Sequence, residues 1–281
     1  MADVGFLNVQ ILSPLIGVSP RAFAGIGAAL ERVDVSDCLL PVLHWAVFRQ
    51  LSRLADIDLA RNSLFALPRG LFRGLAAVRN LTLAANRLPA LRRGVFDGLR
   101  NLERLDVSDN SVSTVEPGTF ESCRRLAALD LSRNRLRAVD VQAFRGLETL
   151  RRLSLAGNEL TDLEPAVLFA VRALVELDLS ANNLTAVGPR HFAGSPRLER
   201  VELARNAIWN VAAPNSVPFR GGIRAPTSSC PHESTSQTAP SGTCPRTRST
   251  DWPTCAPSTS TETGSGRSTS ASWRAAVARW S

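Results

Sequence analysis

An asparagine recurs every 24 residues along most of this chain, and it always stands in the same apolar frame. The frame reads L-x-x-L-x-L-x-x-N-x-L, and seven copies follow one another without any change of period. Such self-similarity predicts a stack of similar units, which moves the question of function from a pocket to a surface. The recurring residues are Asn62, Asn86, Asn110, Asn134, Asn158, Asn182 and Asn206.

The L-x-L step of each unit has a period of two, which indicates a short strand with one buried face. One strand per unit, always in the same direction, predicts a parallel sheet. Prolines in the return segment argue against a long outer helix, so only short helical turns are expected, near residues 70–75 or 143–147. The predicted fold is α/β by convention, a horseshoe solenoid with the sheet on the concave side. Turns and short helical pieces form its convex side.

The asparagine position has a physical explanation in such a stack. Its amide stands among buried leucines, where an unpaired polar group costs roughly 1–3 kcal/mol. The side chain carries both donors and acceptors. It is therefore expected to bond the backbone of its own unit and of the neighbouring unit, where each strand has just ended. We interpret the seven asparagines as a structural ladder.

The chain divides into three parts. Residues 1–29 are interpreted as a degenerate first repeat that lacks the asparagine. Residues 30–221 hold about eight leucine-rich units, the first of which has Cys38 at the asparagine position. Residues 222–281 are rich in Ser, Thr, Pro and Arg and poor in aliphatic side chains, which predicts a disordered tail. A shifted reading frame or a retained intron would give the same composition, and a small folded domain is a third alternative.

The charge of the chain is basic but spread out. The net charge is +8 at pH 7, with 26 arginines against 22 acidic residues in residues 1–211 and 7 against 3 in residues 212–281. Distributed over a long solenoid, this excess does not predict a basic patch, so nucleic acid is not expected as a partner.

The sequence shows no arrangement typical of an enzyme or a metal centre. No nucleophile–base–acid set or phosphate-binding loop is present, and the histidines are scattered: His44, His191 and His232. Three cysteines of the tail lack the C-x-x-C spacing of zinc sites: Cys230, Cys244 and Cys255. We predict no catalytic residue, no cofactor and no metal. The sequence also shows no transmembrane segment and no clear signal peptide, since the apolar residues 6–18 follow no basic region.

The unit L-x-x-L-x-L-x-x-N-x-L-x-x-L/V-x-x-x-x-F-x-x-L resembles the typical leucine-rich repeat of animal extracellular and receptor proteins. The resemblance covers residues 30–211 and includes chaoptin-like adhesion proteins, Toll-type ectodomains and Slit-like matrix proteins. It implies a non-enzymatic module, extracellular or at the cell surface, that binds a protein ligand through its concave sheet. These ectodomains usually carry cysteine-rich caps, which are missing here, so we expect a piece of a larger protein. An intracellular leucine-rich-repeat scaffold, hence a cytoplasmic location, is the alternative.

The expected concave surface carries two columns of outward side chains. The sharper interpretation is an acidic stripe flanked by arginines that selects a charged protein partner. The plainer one is that L-D-L-S is the common strand of this family, with Arg–Asp pairs across strands neutralising much of the stripe. The candidate binding residues are Asp34, Asp58, Arg104, Asp106, Asp130, Arg152, Asp178, Arg200 and Glu202.

Two N-x-S/T sequons are candidate N-glycosylation sites, at Asn80 and Asn183. Both asparagines fall at offsets expected to be exposed. A glycan on Asn80 would obstruct the concave face locally.

Overall fold

The computed structural model describes residues 7–10, 17–23, 25–26, 29–211 and 222–224. A ten-stranded parallel sheet forms one side of the repeat stack, and every neighbouring pair of its strands runs in the same direction. Its strands, in spatial order, are β1 (Leu7–Gln10), β2 (Leu30–Asp34), β3 (Asp56–Asp58), β4 (Asn80–Thr82), β6 (Arg104–Asp106), β8 (Ala128–Asp130), β9 (Arg152–Ser154), β10 (Glu176–Asp178), β12 (Arg200–Glu202) and β14 (Gly222–Arg224). The predicted solenoid and its parallel sheet are confirmed.

The register of the sheet follows the period of the sequence. From β2 to β12 the paired residues of neighbouring strands lie 24 positions apart in the sequence, as Arg32 and Asp56 do. A residue therefore meets its equivalents of the two neighbouring units, and each offset of the repeat becomes a straight column. The register departs from this at the ends, where Leu7 pairs with Leu30 and Arg200 pairs with Gly222.

The outer side of the stack consists mainly of turns. Two two-stranded ladders, β5 (Ala90–Leu91) with β7 (Thr114–Val115) and β11 (Ala186–Val187) with β13 (Asn210–Val211), lie outside the main sheet. At residues 70–75 and 143–147, where the sequence allows at most a short helical turn, the chain forms hydrogen-bonded turns. A 3₁₀ helix (Pro165–Ala170) and α1 (Pro189–Phe192) are the helices of the described residues. Both begin at a proline. Proline has no backbone N–H, and an N–H at the first position of a helix would have no acceptor within the helix.

The core fills the space between the sheet and the outer turns. The middle residue of each three-residue strand of the main sheet from β3 to β12 is buried, as is Val33 of β2. A row of stacked phenylalanines fills the outer half of the core, with ring centroids 5.7–6.5 Å apart. Its members are Phe23, Phe48, Phe72, Phe96, Phe120 and Phe144, and Leu168 and Phe192 are buried at the next two equivalent offsets.

The end strands bear on the domain boundaries that we predict. Strand β1 lies within residues 1–29, and its backbone pairs with β2. Strand β14 extends the sheet three residues beyond position 221. Residues 225–281, which hold nearly all of the predicted tail, lie outside the described residues. No helix in the described part of the chain is long and apolar enough to cross a membrane.

Candidate functional site

The two outward offsets of the sheet form two columns of different chemistry. We call the first the mixed column: Arg32, Asp56, Asn80, Arg104, Ala128, Arg152, Glu176 and Arg200. We call the second the acidic column: Asp34, Asp58, Thr82, Asp106, Asp130, Ser154, Asp178 and Glu202. The parallel register sets the members of each column side by side on successive strands. All nine candidate binding residues predicted from the sequence lie in these columns.

The mixed column is bonded along its own length. Arg32 bridges to Asp56 at 3.1 Å, and Asp56 accepts a hydrogen bond from the Asn80 amide. The Asn80 carbonyl oxygen accepts a hydrogen bond from Arg104 at 3.3 Å. These contacts join four consecutive strands. Asp56 is paired with Arg32, whereas Arg104 contacts the neutral amide of Asn80.

The same pattern recurs beyond Ala128, which interrupts the column. Glu176 lies between two arginines, with Arg152 at 3.3 Å and Arg200 at 2.8 Å. The cross-strand ion pairs expected from the sequence therefore form within the mixed column. They do not form between the two columns, as neutralisation of the acidic stripe would require.

The acidic column makes its hydrogen bonds to the turn that follows each strand. The Asp34 carboxylate accepts from the Ser36 backbone N–H at 3.0 Å, and Asp130 accepts from that of Ser132 at 2.8 Å. Asp58, Asp106 and Asp178 accept in the same way from the N–H two residues later. This local turn gives the L-D-L-S strand a structural reason, since a short acidic side chain satisfies a backbone donor where the ladder ends.

Like charges accumulate in the acidic column. Within the described residues none of its carboxylates has an ion pair within 4 Å. Three pairs of acids face each other on adjacent strands: Asp34 with Asp58, Asp106 with Asp130, and Asp178 with Glu202. Such pairs repel each other and are destabilising in a sheet.

The repulsion and burial of these carboxylates alter their acidity. Desolvation, followed by the neighbouring Asp106 charge, raises the pKa of Asp130 from 3.8 to about 6. Burial also raises the pKa of Asp58, and Asp34 and Asp106 add to the shift. Around neutral pH Asp130 is charged at a cost to the folded chain, which a cationic group bound over the column would offset.

Next to the sheet, inside the stack, the asparagine ladder spans neighbouring units. Asn134 is buried; its Oδ1 accepts from the Val112 N–H at 2.9 Å, and its Nδ2 donates to the carbonyls of Val107 and Leu131 at 2.9 and 3.1 Å. The other six asparagines repeat this scheme. Six of the seven are buried, and Asn206 is half-buried. These amides face the backbone of the stack, so they hold the units together.

The two sequons differ in accessibility. Asn183 is exposed. Asn80 is half-buried, and both ends of its amide are engaged, by Asp56 and Arg104. The exposure expected at Asn80 is thus only partial, because its offset belongs to the bonded mixed column.

An open groove on the outer side of the stack has a volume of about 740 Å³ and is lined by Arg69, Arg73 and Arg100. The arginines are therefore more concentrated here than their spread along the sequence suggested.

Among the described residues no cluster of histidines, cysteines or acids could hold a metal ion. Cys38 and Cys123 are buried, and burial raises the pKa of the Cys123 thiol to about 12, which makes a thiolate nucleophile there unfavourable.

The sequence matches the leucine-rich repeat family over three overlapping stretches, residues 28–88, 77–136 and 124–184. These stretches together span more than half of the chain. No curated protein matches it significantly.

Solved structures of related architecture are found among Toll-type proteins. The chain is similar to TLR13 in its ssRNA13 complex (TM-score 0.64, 25% identity, 73% of this chain and 32% of TLR13). It is also similar to Toll in the Toll–Spatzle complex from Drosophila (TM-score 0.61, 26% identity, 75% of this chain and 32% of that chain). It shares its fold with the leucine-rich repeat domain of APL1B (TM-score 0.56, 24% identity, 72% and 65% covered). The chain spans about a third of the length of the two Toll-type structures.

Proposed function

Because this chain belongs to the leucine-rich repeat family, we propose that it is a non-enzymatic protein-recognition module of the extracellular or receptor-ectodomain type. It binds a protein partner through the sheet, and the acidic column contacts basic side chains of that partner. The observation that carries this proposal is the contrast between a mixed column whose two acids, Asp56 and Glu176, are each paired with arginine and an acidic column whose carboxylates face one another without an ion pair in the described residues.

The acidic column supports binding for a thermodynamic reason. Carboxylates adjacent to each other weaken the folded chain, and Asp130 is charged at neutral pH in spite of its raised pKa. Arginine or lysine side chains of a partner would remove this repulsion and would form charge-assisted hydrogen bonds to the carboxylates. Complementary charge of this kind favours fast association and selects against acidic partners.

The two Toll-type structures hold partners of two different classes. Toll was solved in a complex with Spatzle, a protein, and TLR13 in a complex with a single-stranded RNA. The negative column would repel phosphates, so of these two partner classes the sheet of this chain favours protein. An extracellular location agrees with this class of relative and with the exposed sequon at Asn183.

A photo-crosslinking experiment tests the binding face. A crosslinking amino acid replaces Thr82, the half-buried hydroxyl residue between Asp58 and Asp106 in the acidic column, and the full chain is incubated with cell-surface material. We expect capture of a protein from this position. We also expect that Asp58→Asn with Asp106→Asn abolishes the capture, and that the same crosslinker at the exposed Thr161 does not reproduce it. Equal capture from both positions, or capture that persists without the two carboxylates, would contradict the proposal.

A second experiment tests the location. In protein purified from its native source, we expect a glycan on Asn183 that the change Asn183→Gln removes, as detected by mass spectrometry of glycopeptides. Asn80 serves as the internal comparison, since its amide is held between neighbouring strands. A native protein without glycan at either sequon, recovered from the cytosol, would favour the intracellular scaffold instead.

A further inference from the structure

The outer side of the stack carries a groove of opposite charge to the acidic column. Three exposed arginines, Arg69, Arg73 and Arg100, line it. Residues from three successive units contribute to the lining, which ends at Ser122. The groove is open to solvent and encloses about 740 Å³, so it suits part of an extended chain better than an enclosed small molecule.

The groove keeps its positive charge because its arginines are not neutralised. Within the described residues none of the three has an acidic partner within 4 Å. Further along the outer side, Glu121 compensates Arg93 at 3.3 Å and lies 3.9 Å from Arg145. Glu121 therefore compensates arginines that lie outside the groove.

One acid, Asp97, also lines the groove. Its carboxylate accepts a hydrogen bond from the Ser122 hydroxyl at 3.2 Å. With three arginines against this one carboxylate, the lining has a net charge of +2 (three minus one). The field inside the groove thus favours an anion.

Glycines keep the floor of the groove bare. Gly98 has a φ of 106°, and a Cβ there would lie 2.4 Å from the Phe72 carbonyl oxygen, so a side chain is sterically excluded. Gly70 and Gly74 also line the groove and also have positive φ, at 80° and 92°. The part of the groove beside these glycines therefore carries no side chains that would compete with a ligand.

The chemistry of the lining identifies the class of anion. A guanidinium is planar, weakly hydrated and shaped for bidentate bonding to sulfate or phosphate oxygens. Single-stranded nucleic acid would also need aromatic side chains on which its bases stack, and no aromatic residue lines this groove. The lining thus offers anion contacts alone, spaced along an open channel.

From these observations we propose that the groove formed by Arg69, Arg73 and Arg100 binds a sulfated polysaccharide through its sulfate groups. This site goes beyond the recognition of a protein by the sheet, and it lies among the outer turns. The two sites can be tested separately, because the variants below leave every carboxylate of the acidic column in place.

Binding of the full chain to heparin, measured by titration and by elution from immobilised heparin with salt, tests the proposal. The groove variant is Arg69→Gln, Arg73→Gln and Arg100→Gln. The matched control removes three exposed arginines from later units: Arg172→Gln, Arg190→Gln and Arg197→Gln. Both variants lower the net charge equally, from +8 to +5 (eight minus three). We expect the groove variant to lose roughly tenfold or more in affinity while the control stays close to the original chain.

A second variant guards against loss of folding. Ala76 is exposed and lines the groove, so Ala76→Glu adds a carboxylate there and removes no arginine. We expect it also to weaken heparin binding, with an unchanged circular dichroism spectrum.

Two comparison ligands define the outcomes. Heparin stripped of its sulfates should bind much more weakly, because only its carboxylates remain. Equal weakening in the groove variant and its control would overturn the proposal in favour of non-specific charge attraction. Single-stranded RNA of matched charge that binds more tightly than heparin, through the same three arginines, would overturn it in favour of nucleic acid.

Discussion

Two columns of side chains lie beside each other on the same sheet, and they differ in whether their carboxylates are paired with arginine. In the mixed column, Glu176 lies between Arg152 and Arg200, and its charge is compensated across strands. In the acidic column, Asp130 faces Asp106 on the next strand and bonds only the turn that follows its own strand. Both columns have the same register, so the difference comes from the residues alone.

This contrast separates carboxylates that are paired with arginine across strands from carboxylates that have no such pair in the described residues. A repeat of constant length places equivalent residues side by side, so a carboxylate used in every unit for a local turn becomes a row of like charges. Local hydrogen bonding and electrostatic repulsion thus arise from the same residue. The sign of the stability change on removing a charge should therefore differ between the two columns.

Among the substitutions considered, the largest loss of stability is expected at a buried asparagine of the ladder. Asn134→Ala would leave the Val112 N–H and the Val107 and Leu131 carbonyls without their side-chain partner in a dry interior. We expect a loss of about 3 kcal/mol in the free energy of unfolding, measured by urea denaturation. Asn206→Ala is the control: it removes the same contacts at a half-buried position and should cost less. An equal loss at both positions would show that burial does not set the cost.

The acidic column should respond in the opposite direction. Asp130→Asn keeps an oxygen that can accept from the Ser132 N–H and removes a desolvated charge beside Asp106. The pKa of Asp130 is raised from 3.8 to about 6 in the folded chain. Such a shift corresponds to at most about 3 kcal/mol of strain at neutral pH. We expect the variant to be more stable at pH 7, by roughly 1–3 kcal/mol in urea denaturation.

The pH dependence provides the control for this variant. Because the folded pKa lies above the unfolded one, the folded state binds more protons between about pH 4 and 6, and stability falls as the pH rises through that window. The advantage of Asp130→Asn should therefore vanish below about pH 4 and be complete above about pH 6. An advantage that is independent of pH would contradict an electrostatic origin.

The sheet and its columns follow from the sequence, because a constant period of 24 residues fixes both the register and the outward offsets. The bonding within the columns does not follow as directly. The sequence led us to expect pairs between Arg and Asp of different columns, yet Arg32 reaches Asp56 directly opposite within its own column. The repeat does contain the information needed to predict these pairs. Residues at the same offset lie directly opposite on adjacent strands, whereas a residue of the other column lies two residues further along the strand.

The outer groove and the helices are less accessible to sequence reasoning. Arg69, Arg73 and Arg100 occupy three different offsets of the repeat, so neither a count of charges nor a single column reveals that they meet. The helices begin at Pro165 and Pro189 rather than in the proline-free turns. A proline that breaks a long helix also starts a short one, and which effect applies depends on packing against the neighbouring units.

The size of the repulsion inside the acidic column can be measured directly. Asp106→Asn removes the nearest like charge but leaves Asp130 in the same desolvated position. Since desolvation is the larger cause and Asp106 the second, we expect the pKa of Asp130 to fall in this variant yet to stay above 3.8. Carboxyl NMR titration of both chains measures this. An unchanged pKa would mean that the two carboxylates do not interact.

The smallest effect is expected in the mixed column, where Glu176→Gln exchanges a carboxylate for a neutral amide of the same shape. Both flanking arginines lose an ion pair, at 3.3 Å and 2.8 Å, and the arginine side chains are 36% and 60% exposed. Exposed pairs of this kind contribute at most about 1 kcal/mol, so we expect destabilisation of less than that in urea denaturation, and a smaller loss at high salt. The sign decides the comparison: removing an acid should destabilise here and stabilise at Asp130. If Glu176→Gln also stabilised the chain, both columns would be repulsive, and the division between structural and available charge on this sheet would fail.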